Sequence, residues 1–245
     1  MIRGVYHSTS GMNYLQYKQE VTANNIANAN TTGFKKDNAF WRTLSSLSKI
    51  SNMNATEQRN LDEVDEYYTD FSQGSFNVTN NPLDFAIEGP GFFNVQTPHG
   101  QRYTRNGHWT VNQDKLLVTN NGYPILGERG PIRITGDKIW IEDNGNVNVD
   151  GAVVDRLVMT EFKNPKQLKK LGDGLFEFAG PSQPPSGAPA TRIRQGVLEE
   201  SNVNAIQEMV TMISTTQNFE SGQKSIIMQD QTLDRAVNDV GRIAR

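Results

Sequence analysis

The chain has 245 residues, with 24 basic against 27 acidic side chains, a formal charge of −3 and 36% apolar residues. So near a balance, with no Lys/Arg run longer than a pair, excludes a general nucleic-acid coat. The lack of cysteine excludes disulfides, thiol catalysis and cysteine-ligated zinc or iron–sulfur centres.

The first residues, "MIRGVYHSTSGMNYLQYKQ", hold no continuous apolar segment followed by a cleavage pattern, and no run of about 18 apolar residues occurs in the sequence. The expectation is no membrane insertion, and a protein that is cytosolic or exported without a cleaved signal peptide. Ile2 to Ile26 reads as a helix with a thin apolar stripe of Val5, Met12, Leu15 and Ile26, with Ser8, Gln19 and Thr22 on the same track. So thin a stripe needs a partner, because isolated helices are marginal in water. The helix runs into "TANNIANANTTGFKK", residues 22–36. Asparagine and threonine side chains there compete for backbone groups, end the helix and fix a turn. Gly33 is read as supplying a φ that other residues avoid.

Residues 37–80 mix aromatics, Asn and Asp without a clear period and read as a partly irregular connector. From about Asp84 to Phe178 the pattern has period two, in short strands such as "GFFNVQ", "QRYTRN", "KIWIED" and "VVDRLVMTEF". Turn signals separate them: Pro98-His99-Gly100, Asn106-Gly107, Gln113-Asp114, Asn121-Gly122 and Asn144-Gly145. This predicts an antiparallel β domain. "DNGNVNVDG", residues 143–151, lacks the glutamate a calcium loop needs and reads as a hairpin. "EGPGFF", residues 88–93, precedes no helix, so its glycines read as close backbone packing rather than a dinucleotide fingerprint. His7, His99 and His108 match no metal spacing, although the last two are placed to share a carboxylate such as Asp114. With no nucleophile elbow, phosphate loop or marked acid–base pair, no catalytic residue, cofactor or metal is expected.

Residues 180–190, "GPSQPPSGAPA", read as a linker. Beyond it a proline-free helix is predicted, with Asn204 as N-cap and Gln207 placed to complete a capping box. Met212, Phe219, Ile226, Leu233 and Val240 recur every seven residues. A companion row four residues on, Thr216, Gln223, Asp230 and Val237, is mostly polar, so the seam is narrow and coiled-coil-like. Gly222 is read as a bend. The fold expected is mainly β with α-helical termini, an antiparallel β domain between N- and C-terminal helices that form a coiled-coil-like unit. Residues 1–36 and 200–245 make the discontinuous helical domain, 37–80 the connector and 81–199 the β domain.

One stretch is specific enough to compare. Asn24, Asn25, Ala27, Asn28, Thr31, Gly33, Phe34 and Lys35 meet the pattern Asn-Asn-x-Ala-Asn-x-x-Thr-x-Gly-Phe/Tyr-Lys/Arg. This resembles the N-terminal signature of bacterial flagellar rod and hook proteins. "DFSQGSFNVTNNPLDFAIEGPGFFNV" resembles that family's entry into its β domain, with Asn80 where glycine is common. "YTRNGHWTVNQDKLLVTNNGYPILG" resembles its hairpins, and "RQGVLEESNVNAIQEMVTMI" the start of its C-terminal helix. Within the family, "ILGERGPIRI" and "VVDRLVMTEF" resemble the proximal rod protein more than the distal one.

The resemblance implies a structural subunit of the basal-body rod that assembles with itself and other rod proteins into a helical tube around the export channel and transmits torque. It implies export by the flagellar type III apparatus without a cleaved signal, and no nucleic-acid partner. The signature residues and the seven-residue row Met212 to Val240 are then the expected assembly residues. A distal rod protein, a secreted glycan-binding β module and a cell-wall hydrolase are the alternatives.

Overall fold

The computed structural model describes residues 2–41, 65–136, 138–180 and 191–243. The middle of the expected connector and nearly all of the expected 180–190 linker lie outside them. The chain divides into a helical unit, residues 1–27, 37–68 and 204–245, and a β unit, residues 28–36 and 69–203. The first boundary therefore falls inside the signature, not after it. The turn that follows the first helix belongs with the strands, because its hydrogen bonds go there.

In the helical unit, α1 spans Ile2–Ala27 and α2 spans Ala205–Ile243. Asn204 caps α2 as expected, its Oδ1 accepting from the Gln207 N–H at 3.1 Å. The helices pack against each other in antiparallel sense. Asn25 meets Glu208 near one end, and Met12 meets Gly222 further along. Those two contacts are separated by nearly equal steps on both helices, about 20 Å at 1.5 Å per residue. Helix α2 runs unbroken through Gly222. A Cβ there would stand 3.2 Å from the Met12 Cγ, so glycine serves close approach of α1 rather than helix interruption.

Met212, Phe219, Ile226 and Leu233 are half-buried, while the Val240 side chain is not described. Their companion row differs from expectation. Glu208 and Thr215 are buried and Gly222 and Gln229 half-buried, three residues on from the apolar row, whereas of the expected row Thr216 is half-buried, Gln223 and Asp230 are exposed and the Val237 side chain lies outside the described residues. Two members of the observed polar row face inward with partners: the Thr215 hydroxyl donates to the Thr211 carbonyl at 2.7 Å, back onto its own helix, and Glu208 accepts from Asn25, whereas the buried Gln229 Oε1 has no partner among the described residues. Strands Asp37–Trp41 and Asp65–Thr69 pair with each other, so the connector is strand at both of its described ends.

The β unit is built on a five-stranded antiparallel sheet in the order Met159–Glu161, Gly91–Thr97, Gly100–Thr104, Leu175–Phe178, Leu168–Gly172. Both faces of Gly91–Thr97 are covered. Phe93 and Val95 enter a core with Phe85, Ile87, Trp109, Leu117 and Ile125, and Phe92 enters a second core with Tyr103, Phe162, Leu168 and Phe176. A three-stranded sheet, Ile139–Ile141, Asn146–Val149 and Ala152–Arg156, closes the first core through Ile141, Val147 and Val149. Gly91 serves close packing as expected, since a Cβ would lie 2.7 Å from the Thr191 Oγ1. The Asn144-Gly145 hairpin forms, with Gly145 at φ +92°. Asn80 adopts φ 58°, the left-handed conformation expected of it.

Asn106-Gly107 is not a hairpin turn, because Gly100–Thr104 and Trp109–Val111 pair with other strands. Gly107 instead lies against the Phe85 carbonyl, where a Cβ would overlap it. Nor does His108 share Asp114. Its Nδ1 meets Asp84 at 2.6 Å.

Trp109 ties this core together: it lies edge-on to Phe93 at 4.6 Å, stacks at a tilt on Phe85 at 4.7 Å, and donates its indole N–H to the Asn106 carbonyl. Trp109→Ala is expected to cost about 3–5 kcal/mol in urea unfolding, chiefly by cavity formation, with the half-buried Asn106 carbonyl also losing its donor.

Candidate assembly site

Two of the signature's asparagines and its alanine sit on the last turn of α1. Asn24 and Ala27 are exposed. Asn25 is 1% exposed and uses both ends of its amide inside the chain. Its Nδ2 donates to the Asp37 carbonyl at 2.8 Å and to Glu208 Oε2 at 3.3 Å, and its Oδ1 accepts from the Asp37 N–H at 3.0 Å. These bonds hold the chain that returns after the turn, and the first turn of α2, against the end of α1.

The rest of the signature folds in the β unit. The Thr31 N–H donates to the Asn28 carbonyl and the Phe34 N–H to the Thr31 carbonyl, at 3.1 and 3.2 Å. Gly33 has φ +68° as expected, and a Cβ would lie 2.6 Å from backbone atoms of Arg105 and Asn106. Both the conformation and the contact demand glycine. Phe34 is buried under the Lys170 ammonium, which stands 3.6 Å from the ring centroid and donates to the Lys35 carbonyl at 2.8 Å.

Lys35 is fully buried, as is Glu199, and their side chains meet at 2.6 Å. Arg105 reaches the other Glu199 oxygen at 3.3 Å. Further bonds complete the cluster: Lys35 Nζ to the Ser72 carbonyl at 2.7 Å, the Gly74 N–H to Glu199 Oε1 at 3.0 Å, and Arg105 Nη2 to the Gly89 carbonyl at 2.8 Å. The Arg105 guanidinium lies 4.8 Å from the Phe92 ring centroid. Burial pushes the Lys35 ammonium below its ordinary value, with Glu199 opposing the shift, and acts on Arg105 in the same sense. Around this cluster, the Gly33 N–H donates to the Glu199 carbonyl at 2.8 Å and the Lys36 N–H to Asn202 Oδ1 at 2.7 Å. Asn202 Nδ2 in turn donates to the carbonyls of Asp70 and Ser72. Three stretches, residues 33–36, 70–75 and 199–202, are thus laced into one junction.

The structure therefore places Asn25, Gly33, Phe34 and Lys35 inside the subunit, each with intrachain contacts. Met212, Phe219, Ile226 and Leu233 lie half-buried on α2. Glu199, Arg105, Asn202 and Glu208 were not singled out from sequence. Their only signal is membership of the blocks "RQGVLEESNVNAIQEMVTMI" and "YTRN".

One feature of α2 is also new. Ile206, Met209, Val210, Ile213, Ile227 and Met228 are each more than half exposed. Ile206, Ile213 and Ile227 fall on a second seven-residue row, one residue and so about 100° from the Met212 row, with Glu220 at the position between. No helix among the described residues is long and apolar enough to cross a membrane.

Three family models match in chain order. They are a flagella basal body rod protein model at residues 5–35, the flagellar hook protein FlgE/F/G D1 domain at 86–153, and the flagellar basal body rod FlgEFG protein C-terminal model at 194–239. Similar whole proteins include the flagellar basal-body rod protein FlgG of Borreliella burgdorferi, 35% identical over 97% of this chain and 98% of its own length. The flagellar basal-body rod protein FlgF of Rhizobium meliloti is 30% identical over 98% and 99%. The flagellar hook-basal body complex protein FlhO of Bacillus subtilis is 31% identical over 99% and 100%.

Glu199 is the anion that both cations touch, so Glu199→Gln, which strands two buried cations, is expected to cost more than Lys35→Met, which leaves an Arg105–Glu199 pair. About 3–5 kcal/mol is expected for the former in urea unfolding at neutral pH. Because folding lowers the Lys35 pKa, the unfolded chain binds more protons between the lowered value and the ordinary 10.5. Lys35 should therefore make wild-type stability rise with pH in that window. The rise, measured against Lys35→Met over the same pH series, should be missing in the variant.

Proposed function

The chain belongs to the bacterial flagellar basal-body rod protein family, and from that premise we propose that it is a structural, non-catalytic subunit of the rod, joining copies of itself and other rod proteins into a helical tube. The observation that carries this reading is the double-faced α2. One face packs on α1 within the subunit, and the Ile206–Ile213–Ile227 row is left on the outside. A helix with two apolar rows has two neighbours to satisfy, and here only one lies within the described chain.

In the assembled rod the second neighbour is a helix of an adjacent rod subunit, and the paired termini form a coiled-coil-like layer around the export channel. Repeated head-to-tail contacts that do not close produce the tube, and the interlocked helices and sheets resist torsion. Within the rod we assign a proximal position, supported by the blocks at residues 125–134 and 153–162. The reading includes export through the flagellar type III apparatus without signal cleavage, which the likeness to rod proteins supports.

The signature acts on assembly indirectly. Asn25 and Lys35 set where the chain enters and leaves the helices, and the contact with neighbours is made by the exposed row of α2.

Ile213→Asp tests this. The residue is exposed, so the stability of the purified subunit should stay within about 0.5 kcal/mol of wild type. Incorporation into basal bodies and swimming in soft agar should be lost, since a charge would be buried without a partner at the contact. Wild-type incorporation of the variant would overturn the assignment of this face. Gold labelling of the subunit in isolated basal bodies separates a proximal from a distal position.

A further inference from the structure

The outward face of the three-stranded sheet carries a feature that the rod reading does not use. Its inward residues Ile141, Val147 and Val149 are buried in the core. Outward, Trp140 pairs with Asn148 and Asn148 pairs with Val153, so these three form one lateral row. Trp140 is 64% exposed and Val153 61%. In the next row the Glu142 N–H donates to the Asn146 carbonyl, and Asn146 pairs with Arg156. The polar groups are held in place: Asn146 Nδ2 donates to Glu142 Oε2 at 2.9 Å and Asn148 Nδ2 to Glu142 Oε1 at 3.1 Å. These bonds keep the Glu142 carboxyl below its ordinary pKa and ionised at neutral pH. Each amide retains a second N–H and an oxygen.

Size and charge select the occupant. Strands lie about 4.8 Å apart, so the row is only about 10 Å wide. A stable protein interface needs roughly 800 Å² on each partner with an apolar centre, and two apolar side chains beside a polar row fall far short. Glu142 and Arg156 cancel, and Arg156 also faces Glu128 at 3.6 Å. The face therefore offers no net attraction to phosphates, nucleic acid or acidic lipid. An exposed indole flanked by fixed amides and a carboxylate matches a neutral pyranose, whose ring face is apolar and whose edge is a row of hydroxyls. The three side chains are successive lateral partners across the strands, a straight row that suits an extended, β-linked chain better than a coiled, α-linked one.

We propose that the Trp140–Asn148–Val153 face, with Asn146 and Glu142, is a weak binding site for neutral β-linked oligosaccharides. The site is independent of the rod reading and uses none of the assembly residues.

The test is an NMR titration of the full chain, following the Trp140 indole N–H, identified by its loss in Trp140→Phe. The probes are β-linked tetramers of N-acetylglucosamine and of glucose, with the α-linked glucose tetramer as control. A saturable shift with a Kd in the millimolar range is expected from at least one β-linked probe and not from the α-linked one. Trp140→Ala should weaken it at least about tenfold, with the buried Trp109 indole signal unchanged as proof that the variant is folded. No saturable shift up to about 20 mM, equal response to the α-linked tetramer, or unweakened binding by folded Trp140→Ala would each overturn the proposal.

Discussion

A carboxylate taken out of water must be met by charge, and Glu199 is met by two cations that are themselves buried. That requirement shapes the middle of the chain. Lys35 and Arg105 come from far apart in sequence and are held only if residues 33–36, 70–75 and 199–202 pass the same point. The backbone bonds from Gly33 and Gly74 and the Asn202 side chain secure that convergence. The positive φ of Gly33 and its close contact with Arg105 are consequences of the same crowding. A cluster of two cations and one anion is a poor source of net stability and a strong specifier of geometry, since a displaced segment would leave a charge buried and unpaired.

The signature makes the same kind of contact twice. Asn25 binds Glu208 in the helical unit and Lys35 binds Glu199 in the β unit. Polar signature residues near the N-terminus thus hold one carboxylate just before α2 and one in its first turn. This explains why a run of small polar residues interrupts an otherwise simple helix. Asn25 and Lys35 match the start of the chain to its later part, and Gly33 lets the backbone turn where a side chain would not fit. The chain thus enters and leaves the β unit at one junction, where residues 33–36 and 199–202 are bonded to each other.

Much of this was legible in the sequence and some was not, for physical reasons. Period-two patterning located the β unit, because strand alternation is local. Asn144-Gly145 read correctly as a hairpin, whereas Asn106-Gly107 did not: its glycine answers to the Phe85 carbonyl, a partner distant in sequence. The seven-residue row of α2 was visible. Its polar companion was misplaced, because Thr215 satisfies its own hydroxyl and Glu208 its carboxylate in ways hydrophobicity counts do not register. The Ile206 row went unread because Glu220 breaks its repeat. The Lys35–Glu199–Arg105 cluster was invisible for a simpler reason: no spacing rule links residues 164 and 94 positions apart.

The central claim is that the signature turn is part of the β unit's cooperative core rather than a surface loop that follows a helix. Native-state hydrogen exchange of the Gly33, Lys36 and Gly74 amides, beside that of Ile125 in the core, tests it most directly. The expected result is that all four exchange through openings of the same free energy, equal to that of global unfolding. Fast exchange of Gly33 and Gly74 at rates typical of an open turn, with Ile125 still protected, would contradict it.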